Sequence, residues 1–356
     1  MINKLKYLLI IAIAVQFKIA GAQDIHFSQY YYSPISLNPA LTAVNKNIQA
    51  TFQFKQQWGV VKGYSTEGAS FEFKFNQEKW KKRKNLTNIY QKKEMKGLAI
   101  GICAFADNAG NSSIKQTIVN LSLAYHILIS RSSTLSAGLL GGYNQLSISP
   151  EQLRWNNQYI LGNYSAVTPS GEVFSNHSVS YTDFGAGILY SYGDLDSRLS
   201  SNDQKHFDLG FSVSHVNQPV ISFYDSSDGK LFRKYTFHAS SMTGIQNSNF
   251  VVGGNFLFMY QNQMKEITPG ILVKYRFNEG SNYTGYKKGA SFTAGCYYRA
   301  KDSFIPYILV EMDKYSLGMS YDVNTSELTT TTSGRGGFEI SLRFNTRSAY
   351  VYQNNK

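Results

Sequence analysis

The sequence predicts an all-β protein that crosses the outer membrane as a closed barrel of about 14 antiparallel strands. Three observations lead to this prediction: a secretory signal sequence, long segments of alternating apolar and polar residues, and a composition rich in aromatic residues. Aromatic residues make up 15% of the 356 residues, whereas charged residues make up only 16%. Such a composition is expected when one face of each strand contacts lipid and the other faces a polar interior.

The first 22 residues have the three parts of a secretory signal peptide. Lys4 and Lys6 supply positive charge, residues 8–15 form a short apolar run, and residues 20–22 are small. A membrane anchor is the alternative, but the run is far shorter than the roughly 20 residues that a helical span requires. We therefore expect cleavage after Ala22 and export of the mature chain.

Alternating segments follow one another from residue 47 to residue 344. In the last of them, Phe338, Ile340, Leu342 and Phe344 alternate with polar or charged residues. Successive side chains of a strand point to opposite faces, so this segment has one apolar face and one polar face. The predicted strands lie near residues 47–58, 65–76, 96–107, 114–129, 132–148, 179–192, 204–216, 231–243, 248–260, 265–278, 287–300, 302–312, 314–323 and 335–345.

The number and length of these segments favour a membrane barrel over a soluble β protein. Most are longer than the roughly 5–6 residues of a typical soluble strand, and their even number allows the last strand to pair with the first. A soluble array of β-sandwiches is the alternative, but it predicts shorter strands and a change of composition between domains, and the sequence shows neither. We expect residues 335–345 to close the barrel against residues 47–58.

The chain is accordingly divided into a signal peptide (1–22), an N-terminal segment (23–46), the barrel (47–345) and a periplasmic tail (346–356). The N-terminal segment is rich in Tyr, Pro and Asn and lacks strand alternation. We expect it to pack in or under the periplasmic mouth as a plug or docking strap. A disordered leader is the alternative, but the density of aromatic residues argues against disorder.

Three polar loops, at residues 149–178, 217–230 and 324–334, fall on one side of the barrel by strand parity. Long loops lie on the outer side of such barrels, and short turns face the periplasm. The longest loop carries a cluster of aromatic, polar and basic side chains that we expect to make contacts outside the cell. These candidates are Arg154, Trp155, Asn157 and Tyr159.

Residues 79–96 break this asymmetry, because parity places them in the periplasm although they contain eight Lys or Arg residues. Such a run is commonly a solvated turn. The functional alternative is docking to acidic protein, lipid head groups or cell-wall polymer. The candidates are Lys81, Lys82, Arg83 and Lys84. Nucleic acid is not an expected partner of an exported chain that has no recognition motif.

No motif in the sequence indicates catalysis, a cofactor or a metal site. Cys103 and Cys296 fall in distant strands and on opposite faces, so we expect two free thiols. Charged residues on the predicted inner faces are expected to form ion pairs that fill the barrel. These residues are Glu72, Lys74, Asp183, Asp208, Lys274, Arg276, Arg299, Asp322, Glu339 and Arg343.

The start of the mature chain resembles the opening of the PorP/SprF family of type IX secretion membrane components in Bacteroidetes. Further similar stretches occur at residues 55–58, 121–126, 135–138, 214–219, 316–323 and 337–342. The chain departs from the family pattern at residues 25–26 and 41–43. The matching positions at the start are Gln23, Asp24, Phe27, Ser28, Gln29, Tyr30, Pro34, Asn38, Pro39 and Ala40.

This resemblance implies an outer-membrane barrel that assists the secretion or surface attachment of type IX cargo. Such cargo includes large adhesins with C-terminal sorting domains, some of them involved in gliding motility. The implied partners are other components of the machinery, including peptidoglycan-associated periplasmic proteins, together with outer-membrane lipid. The N-terminal residues expected to dock a partner are Phe27, Ser28, Gln29, Tyr30, Pro34, Asn38 and Pro39.

Two other functions are compatible with the residue pattern alone. One is a passive outer-membrane porin or a transporter of hydrophobic solutes. The other is an outer-membrane hydrolase or acyltransferase, since a barrel enzyme assembles its site from distant strands. We expect a non-enzymatic protein, because no catalytic arrangement has motif support.

Overall fold

The computed structural model describes residues 25–44, 46–57, 64–75, 97–110, 114–130, 132–193, 205–224, 229–278, 289–326, 329 and 334–347. The predicted signal peptide, the whole basic segment at 79–96 and nearly all of the predicted tail lie outside these residues. Among the described residues, no helix is both long enough and apolar enough to cross a membrane.

Fourteen antiparallel strands form a closed barrel, and two very short strands form a separate hairpin in one loop. Each barrel strand pairs with its neighbour in the chain, and the last pairs with the first. The strands are β1 (Lys46–Gln57), β2 (Ser65–Lys74), β3 (Gly97–Ala109), β4 (Ile114–Leu128), β5 (Ser133–Ile148), β6 (Tyr159–Ile160), β7 (Asn163–Tyr164), β8 (Ser178–Gly193), β9 (Lys205–Ser214), β10 (Lys234–Gly244), β11 (Phe250–Gln261), β12 (Met264–Asn278), β13 (Ala290–Arg299), β14 (Ser303–Met312), β15 (Tyr315–Asn324) and β16 (Arg335–Arg347). The predicted fold is therefore confirmed.

The seam of the barrel lies between β1 and β16, as predicted. Phe52 pairs with Leu342 across this seam, and Ala50 pairs with Phe344. β16 extends beyond its predicted end at residue 345, however, and continues to Arg347, because the first residues of β1 pair with residues 345–347.

The two surfaces of the barrel have the polarity that alternation predicts. Outward-facing apolar side chains stay exposed in the isolated chain; Leu121 of β4 is 48% exposed and Ile271 of β12 is 64% exposed. Inward-facing Glu72, His126 and Glu339 are fully buried. This arrangement reverses that of a soluble protein and gives the barrel an outer surface suited to lipid.

The barrel has two distinct ends. The end that carries residues 149–177 and 215–233 is called here the long-loop end. β1 begins at the opposite end, where the short connections at 129–132, 245–249 and 313–314 also lie. Residues 25–44, called here the luminal segment, occupy the interior between the two ends.

A lipid-facing charge should destabilise the barrel. We expect Leu121→Arg, at the middle of β4, to lower the free energy of unfolding in lipid vesicles by about 2–4 kcal/mol, because an arginine at the bilayer midplane is poorly solvated. Leu161→Arg is the matched control, since Leu161 lies in a loop and is 98% exposed. Denaturant titration of both variants measures the difference. Equal stability of the two variants would contradict a lipid-facing position for Leu121.

Candidate functional site

The luminal segment consists of three short helical turns rather than a strand. They span Tyr30–Tyr32, Pro34–Leu37 and Pro39–Leu41. A proline is the first residue of the second and third turns. The N–H of a first helical residue makes no hydrogen bond within the helix, so proline, which lacks that N–H, fits there without loss. Asn38 caps the third turn by accepting a hydrogen bond from the Ala40 N–H at 2.9 Å. These residues explain why the segment does not join the sheet.

The segment runs through the barrel from the long-loop end to the opposite end. His26 lies 3.3 Å from Glu266, which stands near the start of β12 at the long-loop end. At the other end, the Ala43 N–H donates to Glu72 at 2.6 Å and Lys74 donates to the Val44 carbonyl at 3.2 Å. Residues 25–44 therefore lie inside the barrel along its length rather than only beneath its mouth.

Glu339 anchors the first part of the segment. Its two carboxylate oxygens accept hydrogen bonds from the backbone N–H groups of Ser28, at 2.7 Å, and Gln29, at 3.0 Å. The Gln29 side chain donates in turn to the Glu339 carbonyl, and Ser341 donates to the Gln29 side-chain oxygen. Because Glu339 is fully buried, these bonds supply part of the solvation that it lacks.

Charged side chains surround this anchor and compensate one another. Arg299 lies 3.4 Å from Asp322 and 3.5 Å from Glu266, and Lys55 lies 3.8 Å from Asp322. Ser28 joins the group, because its hydroxyl donates to Asp322 at 2.7 Å and accepts from Arg299 at 2.9 Å. Buried charges are tolerated when they are paired and hydrogen-bonded, and the luminal segment completes that pairing here.

Tyr30, Tyr31 and Tyr32 form the central contact of the segment with the wall. The Tyr30 ring packs edge-on against Tyr297, with ring centres 5.7 Å apart. The guanidinium of Arg343 lies 3.9 Å from the centre of the Tyr32 ring and donates to the Tyr31 carbonyl at 2.6 Å. This part of the segment therefore packs closely against the side chains of the barrel wall.

Asn38 and Pro39 press against wall positions that only glycine can occupy. A Cβ atom on Gly138 would lie 2.4 Å from the Ala40 nitrogen and from the Pro39 carbonyl carbon, and one on Gly187 would lie 2.0 Å from Asn38 Oδ1. The Asn38 amide also donates to the Ile188 carbonyl of the wall, at 3.0 Å. The wall is therefore shaped to the segment at this point.

Fixed hydrogen bonds also hold the last turn of the segment. His126 Nε2 donates to the Thr42 carbonyl at 2.9 Å, and the His126 Nδ1 atom lies 2.7 Å from the Ser136 hydroxyl. The Thr42 hydroxyl lies 2.7 Å from that of Ser122 and donates to the Pro39 carbonyl. His126, Ser122 and Thr42 are each fully buried, so water does not compete for these bonds.

Among the residues that the structure describes, wall side chains thus bind the backbone of the luminal segment at ten points. Three backbone N–H groups donate to wall carboxylates, those of Ser28, Gln29 and Ala43. Seven carbonyl groups accept from wall side chains, those of His26, Gln29, Tyr31, Leu37, Pro39, Thr42 and Val44. The barrel interior therefore binds a polypeptide backbone along its length.

The sequence-predicted docking residues of the N-terminal segment are used by the chain itself. While the luminal segment occupies the barrel, here called the seated position, these residues contact the chain's own strands. They would reach a partner only if the segment left the barrel. All seven are buried against the barrel wall, namely Phe27, Ser28, Gln29, Tyr30, Pro34, Asn38 and Pro39. The basic candidates Lys81, Lys82, Arg83 and Lys84 lie outside the described residues.

The predicted outer-loop residues hold their own loop together at the long-loop end. Arg154 lies over the Tyr164 ring at 4.8 Å, Trp155 packs against Phe174, and Tyr159 packs against Tyr164. The Asn157 amide donates to the Ser170 carbonyl at 3.2 Å. Arg154, Asn157 and Tyr159 are also exposed to solvent.

The charged inner-face residues do more than pair with each other. Lys274 and Glu311 form an ion pair within the wall, as expected. Glu72, Lys74, Arg299, Asp322, Glu339 and Arg343 instead bind the luminal segment. Sequence reasoning missed Lys55, Ser122, His126 and Glu266 as members of this site. The alternation of each strand does place these side chains on the inner face of the barrel. Alternation alone does not show which groups they contact there.

The described residues contain no cluster of His, Cys, Asp or Glu suited to a metal ion. Both cysteines are free; Cys103 is buried in the interior and Cys296 is partly exposed. Cys103 packs in one cluster with Phe27 and Ile35 of the luminal segment. Its thiol therefore offers a natural reporter of whether the segment is in place.

Enlarging a wall glycine should displace the segment. We expect Gly138→Ala to disfavour the seated position by about 1–3 kcal/mol, because its methyl group overlaps Pro39 and Ala40. The rate of maleimide reaction at Cys103, in a Cys296→Ser background, measures the change. Gly254→Ala is the control, since its Cβ would meet no atom closer than 3.6 Å. A slow reaction in both variants would show that the site tolerates the methyl group.

Removing the charge of Glu339 should loosen the start of the segment. Glu339→Gln leaves one acceptor oxygen and sets an amide N–H₂ against a backbone N–H, a cost of about 1–3 kcal/mol. We expect faster hydrogen–deuterium exchange in a peptide that contains Ser28 and Gln29. Glu67→Gln is the control, because Glu67 is exposed on the outer face. Unchanged exchange in the Glu339 variant would argue against its role as the anchor.

Several solved structures resemble this chain at low sequence identity. Similar solved structures include a TodX deltaS2S3 mutant monoaromatic hydrocarbon channel (8% identity, TM-score 0.49, 91% of this chain and 95% of that chain). Others are a Pseudomonas aeruginosa FadL homologue (10%, 0.41, 86% and 92%) and the KdgM porin (5%, 0.35, 84% and 99%). No curated protein sequence matches the chain.

The family comparison covers nearly the whole sequence. The profile of the type IX secretion system membrane protein PorP/SprF matches residues 19–344. With its closed barrel and apolar outer surface, the chain is a multi-strand barrel of the outer membrane. It belongs to the PorP/SprF family of type IX secretion system membrane proteins.

Proposed function

We propose that this protein is a non-enzymatic accessory barrel that supports the secretion or surface attachment of large type IX cargo proteins, such as adhesins with C-terminal sorting domains. Membership of the PorP/SprF family supports a place within that secretion system. A role in gliding motility is part of the same proposal where the cargo is a motility adhesin.

The observation that carries the proposal is the occupied lumen. Ten backbone groups of the luminal segment are bound by wall side chains, and aromatic side chains fill the space around Tyr30, Tyr31 and Tyr32. A general porin requires a water-filled passage. A lumen filled by the chain's own segment instead supports a structural or docking role.

The loops at the two ends of the barrel support a proposed partner on each side of the membrane. The long-loop end faces the exterior by the general asymmetry of such barrels. There the exposed Arg154, Asn157 and Tyr159 are available to cargo or to outer components of the machinery. On the periplasmic side, the basic residues 81–84 offer docking to peptidoglycan-associated proteins or to cell-wall polymer.

A passive porin or hydrophobic-solute transporter is the competing function. It predicts steady conductance or solute uptake by the intact protein, and normal surface display of cargo when the gene is deleted. The proposed accessory role predicts no steady conductance or solute uptake by the intact protein, and loss of surface cargo when the gene is deleted. Conductance in planar bilayers and the surface proteome of a deletion strain therefore separate the two functions.

Disrupting the luminal segment should impair cargo display more than barrel assembly. We expect deletion of residues 24–40 to remove one or a few large proteins with C-terminal sorting domains from the cell surface, the same loss that we expect from deletion of the whole gene. Surface proteomics measures the loss, and heat-modifiable migration on gels confirms that the shortened barrel assembles. The Glu67→Gln strain serves as a control with an intact segment, because Glu67 is exposed on the outer face of the barrel. Normal cargo display by an assembled barrel without residues 24–40 would refute the proposal.

A further inference from the structure

Four exposed cations lie at the long-loop end of the barrel. Arg233 immediately precedes β10, Lys265 is the second residue of β12, and Arg335 is the first residue of β16. Lys301 lies in the turn that follows β13. These four residues, called here the cationic rim, span the strands from β10 to β16, which make up half of the barrel wall.

The alternation and pairing of the strands turn the rim toward the membrane. Glu266 of β12 is buried in the barrel interior, so its neighbour Lys265 lies on the outer face. Asp322 of β15 is buried as well, which sets Val323 on the outer face. Arg335 pairs with Val323, and paired residues of neighbouring strands share a face. Lys265 and Arg335 therefore extend from the surface that contacts lipid.

Exposed aromatic side chains lie beside the rim. Tyr235 of β10 and Tyr260 of β11 pair with each other and stack, with ring centres 6.4 Å apart. Lys265 pairs with Tyr260, and its ammonium lies 5.8 Å from the centre of that ring. Arg233 stands two residues before Tyr235. Aromatic rings at this level mark the border between hydrocarbon and head groups in outer-membrane barrels, so these cations lie at the depth of the head groups.

The same arrangement recurs farther round the barrel. Tyr298 of β13 pairs with Phe304 of β14, and both rings are exposed. Phe304 pairs in turn with Val323, which pairs with Arg335. Lys301 lies in the turn between the strands that carry Tyr298 and Phe304. The rim thus consists of two groups of cations, each beside an exposed aromatic pair.

The acidic neighbours of the rim are used inside the barrel. Glu266 follows Lys265 in the sequence and lies 3.5 Å from the interior Arg299. Asp302 follows Lys301 and lies 2.9 Å from the same guanidinium. Adjacent residues thus send positive charge outward and negative charge toward Arg299. Among the described residues of β10–β16, the outer surface at this end is therefore positively charged.

The wall next to the rim indicates which partner fits it. Ile267 lies two residues beyond Lys265 on the same face of β12 and is 41% exposed. A lipid can cover this apolar wall with its acyl chains and reach the cations with its head group, whereas a soluble acidic protein can reach only the cations. Guanidinium and ammonium groups bind phosphate through charge-assisted hydrogen bonds. The rim is therefore suited to a lipid whose head group carries phosphate.

We propose that the cationic rim binds phosphate-bearing lipids of the outer leaflet. Their acyl chains lie against β10–β16, and their phosphate groups pair with the rim. The outer leaflet is the relevant one, because the long-loop end of such barrels faces the exterior. Since the rim spans only half of the wall, this lipid is held on one side of the barrel.

Native mass spectrometry of the protein in nanodiscs measures this binding. The protein is purified from outer membranes and placed in phosphatidylcholine nanodiscs that contain either lipid A or lipid A from which the phosphates have been removed enzymatically. We expect lipid A to stay bound at least about fivefold more than its dephosphorylated form, since one cation near a membrane surface favours an anionic lipid by about that factor. Equal retention of the two forms would overturn the proposal.

Removing cations of the rim should lower this preference. We expect Arg233→Gln combined with Lys265→Gln to reduce the preference for phosphorylated lipid A several-fold, because two phosphate partners are lost. Arg154→Gln combined with Lys230→Gln is the matched control, since it removes the same charge from exposed positions in the long loops. Heat-modifiable migration on gels confirms that each variant is folded. An equal loss in the control would overturn the assignment to the rim, because overall charge would then be the cause.

The other half of the rim is tested by Lys301→Gln combined with Arg335→Gln, for which we expect a similar loss of preference. A preference that neither pair of substitutions changes would overturn the proposal. Cargo display plays no part in these measurements on purified protein, so their outcome is independent of the proposed secretion role.

Discussion

Hydrogen bonding between the barrel wall and the backbone of residues 25–44 is the interaction on which the rest of the structure depends. A segment with two prolines and no strand pairing cannot satisfy its own backbone inside a barrel. Buried N–H and C=O groups without partners would make that position untenable. The wall solves this with Glu72 and Glu339 as acceptors and with Lys74, His126 and Arg343 as donors. The polar interior of the barrel is therefore a binding surface.

This requirement also explains the composition of the wall. Charged groups such as Arg299 and Asp322 are paired within the interior, and Ser28 of the segment completes their hydrogen bonds. Gly138 and Gly187 give the space in which Asn38 and Pro39 approach the strands. Outside, the only constraint is contact with lipid, so large apolar residues alternate with these polar and small ones. One strand thus meets two different physical demands on its two faces.

The proposed secretion role depends on the occupied lumen. A barrel filled by its own amino-terminal segment is suited to binding other proteins rather than to passing solutes. Its exposed loops are available for such contacts. Because the buried Cys103 thiol touches the segment, one chemical reaction follows the occupancy of the lumen without added labels.

The sequence by itself determined the fold, since side chains alternate with a fixed period of two along every strand. That period located all fourteen strands and the pairing of residues 47–58 with 335–345, and it set Cys103 and Cys296 on opposite faces. Only the tertiary structure decided what the inner faces bind. Glu339 and Ser28 are separated by 311 residues, and nothing periodic relates a segment without strand pattern to the wall that holds it. Closure of the barrel brings these groups together, and so it alone reveals that residues thought to dock a partner are bound by the chain itself.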